Sequence, residues 1–528
     1  MFRNVAQPDI VEHVEGLKLN GVTLNGTSHK SDKVTPVERV AVRIANIVAA
    51  VAAVLLVLRA IRGPFELAGI WIRSPLTLET SFAIIAGVLL FFVCRRGEGR
   101  GAIPPAADLP LLLLALVWIA VAFSPNLPDP FVSDDYILVS RYTLDPGRIA
   151  RDFITPGGDG ALRPVGNIGY AVVHTLAGLR PFPWHCYLLG VHLLNCALLY
   201  VLVRLLWRNA FVSFTAALLF GMHGSRPQSV TWASDNFDLL ACALSLIAAW
   251  CLFRPLSRRP WVAVAPALAL LAAAIFCKES AYVTPVLVFA FALAAGRLGD
   301  RAVRLFLPWS AVVCVALFAY RWVLFRGPGG YLDPTTGRPA ILSLHLLSTA
   351  KALCLRMWAI LLFPVNWREP TGIGVAVALA AGCGAVLFSL WSSSGLPARM
   401  VLAFVGAAIC AMAPVLHLAL VDESAIGSRI FYIPALPFCV LAGHLVASVR
   451  SRRRIAVILA ALMLSTTLTL EHNLRFWHQA ALAADRICDA VAQGKPVPAQ
   501  SADLPGLLSF GNGLQECVEQ KRREPVRP

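Results

Sequence analysis

Residues 107–136 read ADLPLLLLALVWIAVAFSPNLPDPFVSDDY, and the stretch changes character halfway. From 107 to 123 it is almost wholly apolar, with Asp108 as the one charge. After Phe123 it turns to prolines and small polar residues, then to the adjacent acids Asp134 and Asp135. Roughly 17–25 apolar residues carry one helix across the hydrocarbon core of a bilayer. The run therefore reads as a membrane span that ends shortly before a pair of carboxylates at the membrane edge.

Apolar runs of the same kind recur outward from it, near 42–61, 79–94, 184–203, 210–223, 236–253, 261–277, 280–296, 305–322, 372–391, 399–419, 427–448 and 454–470. Together they predict an all-α integral membrane protein with about thirteen transmembrane helices. Composition agrees, with 58% of 528 residues hydrophobic and 14% charged, against about 25% charged in an average globular domain. An ordinary soluble fold is excluded.

The net charge of +16 would suit a nucleic acid partner, but its distribution argues otherwise. The arginines fall in short clusters between apolar runs: Arg95, Arg96 and Arg100; Arg204 and Arg208; Arg254, Arg258 and Arg259; Arg297, Arg301 and Arg304; Arg450 and Arg452 to Arg454. That is the positive-inside pattern, so no nucleic acid is expected. It sets the N-terminus in the cytoplasm and the C-terminus outside. A polar stretch of about 38 residues precedes the first run, so no cleavable signal peptide is expected.

The predicted organisation is a flexible cytoplasmic arm over 1–38, two transmembrane helices over 39–106, a transmembrane core over 107–470 and an external tail over 471–528. Two external loops, 124–183 and 323–371, exceed what a hairpin between helices needs, and loops of that length usually carry function. Within the second, 345–364 contains Lys351 and Arg356 and is read as an amphipathic or re-entrant element on the external face. The thirteen cysteines show no CxxC pair. Cys488 and Cys517 lie in the polar tail, where a disulfide becomes available outside the cytoplasm and two free thiols are the other reading.

Four polar constellations fall on the external side of the predicted spans. The first is Asp134–Asp135, suited to taking a proton from an acceptor hydroxyl, with a turn or helix-capping pair as the competing reading. The second runs from His223 through Arg226, Trp232 and Asp235 to Asp238. His223 and Arg226 suit an anion such as phosphate, Asp235 reads as an N-cap, and Asp238 enters an apolar helix where an acid needs a partner or a function. The third is Lys278–Glu279, whose adjacent charges point to different partners on a helix. The fourth runs from Asp422 and Glu423 through Ser428, Arg429 and Tyr432 to Pro434, with Arg429 entering an apolar run. Carboxylates and cations gathered on one face suit an anionic, lipid-anchored substrate.

At these residues the chain resembles the GT-C superfamily, membrane glycosyltransferases that use polyprenyl- or dolichyl-phosphate sugars. The likeness is to the transmembrane O-mannosyltransferases that carry tetratricopeptide repeats and to their bacterial relatives, over roughly residues 107–480. The family's aspartate pair is matched by Asp134 and Asp135. Its histidine loop, tryptophan and helix-starting aspartate are matched by His223, Trp232 and Asp238, with glycine and serine in place of the usual proline and valine. Its lysine-glutamate step is Lys278–Glu279, and its glutamate-arginine-tyrosine stretch appears as Ser428, Arg429, Tyr432 and Pro434. Asn473 and Trp477 match positions after the last span. Ser428 stands where the family has glutamate, and no tetratricopeptide repeats follow.

The resemblance implies inverting transfer of a sugar from a polyprenyl-phosphate donor to an acceptor hydroxyl on a lipid, polysaccharide or protein. Asp135, or Asp134 beside it, would be the base. Arg429, Lys278, His223 and Arg226 would hold the donor phosphate, with Asp238, Glu279 and Tyr432 in support. Some family members use a divalent metal ion and others do not, which leaves the metal open. Membrane lipids surround the chain in any case, and a composition rich in Arg and Ala suggests a bacterial inner membrane. A transporter or flippase of a lipid-linked glycan is the rival reading, and it requires ionisable residues lining a path to the cytoplasmic side. A noncatalytic assembly partner is the third.

Overall fold

Inside a bilayer every backbone N–H and C=O must find its partner within the chain, which leaves helices as the way to span it for runs such as these. The computed structural model describes residues 65–67, 70–72, 105–142, 144–155, 160–254, 259–330, 350, 353–354, 357–362, 364, 391, 395–412, 427–449, 452–496 and 513–523. Sixteen α-helices are resolved among these, α1 Pro105–Phe123, α2 Asp135–Arg141, α3 Pro146–Ile154, α4 Pro164–Ala177, α5 Pro181–Trp207, α6 Ala210–Gly221, α7 Pro227–Thr231 and α8 Asn236–Phe253 forming the first half. The second half comprises α9 Trp261–Ile275, α10 Thr284–Ala294, α11 Arg301–Phe325, α12 Met357–Leu362, α13 Ala398–Met412, α14 Ala435–Ala447, α15 Arg452–Ala492 and α16 Leu514–Arg523. A short antiparallel pair, Phe65–Leu67 with Ile70–Ile72, is the only sheet among the described residues.

The helices pack around α6, in which every residue is buried. It touches α1, α5 and α14; α5 also packs on α8, α8 on α9, α9 on α11, and α10 on α13. The one acid in the first span is explained by this packing. Asp108 of α1 accepts from the Arg204 guanidinium near the end of α5 at 2.9 Å, so the charge is paired where both helices end. Local chemistry sets several helix starts. Asp145 accepts from the amides of Gly147 and Arg148, with Pro146 at the first position of α3, and Asn209 caps α6 through Phe211 and Val212.

Among the described residues, four helices are long and apolar enough to cross a membrane: Asp108–Asn126, Pro181–Trp207, Ala233–Phe253 and Arg301–Phe325. Five shorter apolar helices of 10–17 residues correspond to other predicted spans. The chain is an integral membrane protein built from helices, while the number thirteen is not established by them. The predicted spans 42–61, 79–94 and 372–391 and the arm 1–38 lie outside the described residues. The last predicted span continues without a break past residue 470, because α15 runs 41 residues, or about 60 Å at 1.5 Å per residue. Of the segment 345–364, the described α12 buries Met357 and Leu361.

The tail is folded. Cys488 of α15 is disulfide-bonded to Cys517 of α16, and Lys521 reaches Asp485 at 2.7 Å and Asp489 at 3.1 Å. Helix α16 packs on α15 and on α2.

Candidate active site

The carboxylate pair straddles the start of α2, with Asp134 at the N-cap and Asp135 as its first residue. Neighbours at a helix start point in different directions, and the two acids have different fates. Asp135 is fully buried. One of its oxygens accepts from the Ser234 amide and the Ser234 hydroxyl, both at 2.7 Å, and the other accepts from the Val132 amide at 3.2 Å. Burial pushes its carboxyl up to about 7, against these hydrogen bonds, which favour the ionised form. Asp134 is half-buried and makes no capping hydrogen bond with its side chain. Just before the pair, Ser133 adopts a left-handed backbone at φ 50°, a costly conformation for a residue with a β-carbon.

Ser234 belongs to the turn Ala233–Asp235 that leads into α8. Asp235 and Asp238 follow on this turn and on the first turn of α8, and each meets a cation. Lys278 lies 3.1 Å from Asp238, which also accepts from the Ser280 hydroxyl at 3.3 Å. Arg429 lies 3.7 Å from Asp235 and stacks 4.6 Å over the Trp232 ring. The Arg429 backbone is fixed by Gln228, whose side-chain oxygen accepts from the amides of Gly427 and Arg429 at 2.8 and 3.1 Å. Trp232 in turn faces Trp477 of α15, with ring centroids 6.3 Å apart. Residues 232–238 thus join the carboxylate loop to a cluster of two acids and two cations.

Glu279 turns elsewhere. Its carboxylate binds Arg163 at 3.1 Å and Arg321 at 2.9 Å, and Arg321 also donates to the carbonyls of Gly160 and Pro328. The Gly330 amide donates to the same Gly160 carbonyl at 2.9 Å. This node fastens the stretch just before α4 to the end of α11.

His223, Arg226 and Tyr432 form a third group. His223 is buried, with Nε2 2.9 Å from the Leu361 carbonyl and Nδ1 near the Ser225 amide and hydroxyl. A carbonyl only accepts, so Nε2 carries the proton and Nδ1 receives the Ser225 amide, leaving a neutral ring. Arg226 is fully buried between Phe220 at 4.6 Å and Tyr432 at 4.5 Å. The Tyr432 hydroxyl meets His192 at 2.6 Å and the Asn195 amide at 3.1 Å. Asn473 closes the region by donating to the carbonyls of Gly224 and Pro364.

The structure therefore brings Asp238, Lys278 and Arg429 together, with Asp135 one turn away through Ser234. It sets Glu279 in a separate node and His223, Arg226 and Tyr432 in a buried core. Asp235 occupies the N-cap position of α8, as read from the sequence, but its side chain makes no capping bond and faces Arg429, a contact sequence reasoning missed. Sequence reasoning also missed Ser234, Gln228, Arg163 and Arg321. Arg321 sits inside a predicted span, where a charge was the available signal; Ser234 and Gln228 carried none.

No family model matches the chain. A stretch of 167 residues is 28% identical to the human protein O-mannosyl-transferase TMTC1, covering 29% of this chain and 18% of that protein. A stretch of 128 residues is 24% identical to Tmtc1 of Drosophila melanogaster, covering 24% of this chain and 15% of the relative. The matched stretches span less than a fifth of these relatives' length. The crystal structure of ArnT from Cupriavidus metallidurans bound to undecaprenyl phosphate aligns over 80% of this chain and 90% of that one, at 16% identity and a TM-score of 0.42. The chain is an integral membrane protein with local sequence likeness to the protein O-mannosyl-transferases.

Proposed function

We propose that this protein is a glycosyltransferase that moves a sugar from a polyprenyl-phosphate donor to an acceptor hydroxyl on the non-cytoplasmic face of the membrane. The observation that carries this reading is the turn 232–238. It holds Asp135 through Ser234 and, within one helical turn, presents the Asp235–Arg429 and Asp238–Lys278 pairs. A base and a phosphate-binding cluster linked by so short a segment suit a displacement between an acceptor and a lipid phosphate. The likeness to O-mannosyl-transferases supports the reaction class.

Asp134, the accessible carboxylate, takes the proton from the acceptor hydroxyl. The acceptor oxygen forms the new bond to the anomeric carbon as the carbon–oxygen bond to phosphate breaks. The electron pair leaves on the lipid phosphate, and the anomeric configuration inverts. Asp135, its oxygens engaged with Ser234 and Val132, holds the loop. Arg429, loosely paired at 3.7 Å, keeps donors for the departing phosphate, and Lys278 adds a second positive charge. Among the described residues no three His, Cys, Asp or Glu side chains are grouped to hold a metal ion, and Asp135 faces hydrogen-bond donors.

The domain reading kept with it is a transferase core over 107–470 with external loops 124–183 and 323–371, the N-terminus cytoplasmic and the tail outside. The Cys488–Cys517 disulfide supports the external tail, since disulfides persist in oxidising compartments. A bacterial inner membrane accommodates this arrangement. The donor assignment is tested by native mass spectrometry of the purified protein with undecaprenyl phosphate. Wild type should retain the lipid and Arg429→Ala should lose it about tenfold or more; equal retention by both would remove Arg429 from the phosphate site.

A further inference from the structure

The tail beyond residue 470 carries none of the groups assigned to transfer, yet Gly513 within it reaches the loop that presents Asp134 and Asp135. Helix α16 is fastened to α15 twice, by the Cys488–Cys517 disulfide and by Lys521 between Asp485 and Asp489. Its Gln520 also donates to the Leu179 carbonyl at 3.3 Å. At its start, Gly513 is buried with φ 94°. A β-carbon added to Gly513 would collide with the carbonyl oxygen of Ser133 and stand 3.6 Å from the Tyr136 β-carbon. Ser133 is the strained left-handed residue that precedes Asp134 and Asp135. A strained backbone persists only where its surroundings hold it, and Gly513 packs against this one.

We propose that the disulfide-closed tail is a brace, in which Gly513 holds the Ser133 bend and thereby positions Asp134 and Asp135 for transfer. The proposal rests on the reading of Asp134 as base. Gly513, Cys488 and Cys517 are positioning residues and touch no substrate. Because the disulfide belongs to an oxidising compartment, the brace engages only after the tail has reached the external side.

Hydrogen exchange of residues 131–141, measured on the full chain in detergent, tests the brace without any sugar acceptor. Amides of this segment should exchange about tenfold faster or more in Gly513→Ala and in wild type reduced with a phosphine. Gly494→Ala is the control. Gly494 also has a positive φ, of 69°, but a β-carbon there meets nothing within 4 Å, so it carries the backbone penalty without the contact. Unchanged exchange after both reduction and Gly513→Ala, or equal acceleration in Gly494→Ala, overturns the brace. In cells lacking the gene, Gly513→Ala should return the lost glycan at a tenth of the wild-type level or less while the purified variant retains undecaprenyl phosphate as wild type does. Full return of the glycan overturns the brace. If wild type itself returns no glycan, the transferase reading fails, and the exchange result still decides the brace.

Discussion

The amide and hydroxyl of Ser234 both donate to one oxygen of Asp135, each at 2.7 Å, across 99 residues of chain. This contact joins the loop after the first described span to the turn that starts α8, and it makes the carboxylate and cation clusters one unit.

Ser234→Ala removes the hydroxyl and leaves the amide in place. Losing one hydrogen bond to a buried carboxyl should cost about 1–3 kcal/mol. Thermal unfolding of the purified variant measures it, and the loss should be greatest at alkaline pH, where Asp135 is ionised and needs the donor most.

The raised carboxyl of Asp135 gives stability a defined pH dependence. Its folded value, about 7, exceeds the ordinary 3.8. Between these values the unfolded chain is ionised and the folded one keeps its proton. The contribution is thus complete below pH 4, falls as pH rises towards 7 and is spent above it. At about 1.4 kcal/mol per pH unit, the fall amounts to a few kcal/mol at most. Unfolding followed from pH 4 to 8 should show this slope in wild type and lack it in Asp135→Asn.

Arg429→Ala leaves Asp235 buried without its partner. The single change should destabilise the protein by up to roughly 3 kcal/mol, and the double change with Asp235→Asn should recover part of that loss. Denaturation of Arg429→Ala, Asp235→Asn and the double variant side by side measures the coupling, and simple addition of the two single losses in the double variant would show that the pair does not interact.

Glu279→Gln releases Arg163 and Arg321 from one carboxylate. The joint at Gly160 and Gly330 should loosen, seen as faster hydrogen exchange over 160–163 and 321–330, while exchange over 131–141 stays as in wild type.

The helical membrane fold was legible in the sequence because hydrocarbon admits few alternatives, and runs such as 184–203 and 305–322 declare themselves by length. Lys278 and Arg429 were visible for the same reason, as charges beside apolar helices. Their partners were harder to read. Asp238 was seen to need one, but nothing local singles out Lys278, 40 positions on, among the chain's cations. Arg226 looked like a phosphate ligand from its neighbours in the chain. The fold instead sandwiches it between Phe220 and Tyr432, the latter 206 positions away. Asp235 was taken for a cap because capping is a local signal, whereas its contact with Arg429 is a tertiary one. The tail was unreadable since its meaning lies in where Gly513 lands.

The central claim is sugar transfer with Asp134 as the base. The most direct measurement is mass spectrometry of envelope lipids, polysaccharides and proteins from cells lacking the gene, complemented with wild type, Asp134→Asn or Asp135→Asn at equal membrane abundance. The account predicts that the deletion removes one sugar from one glycan and that wild type returns it. Asp134→Asn should return less than about a hundredth, the scale of a lost general base, while Asp135→Asn should keep a larger residue of activity. Full return of the sugar by Asp134→Asn would contradict the account.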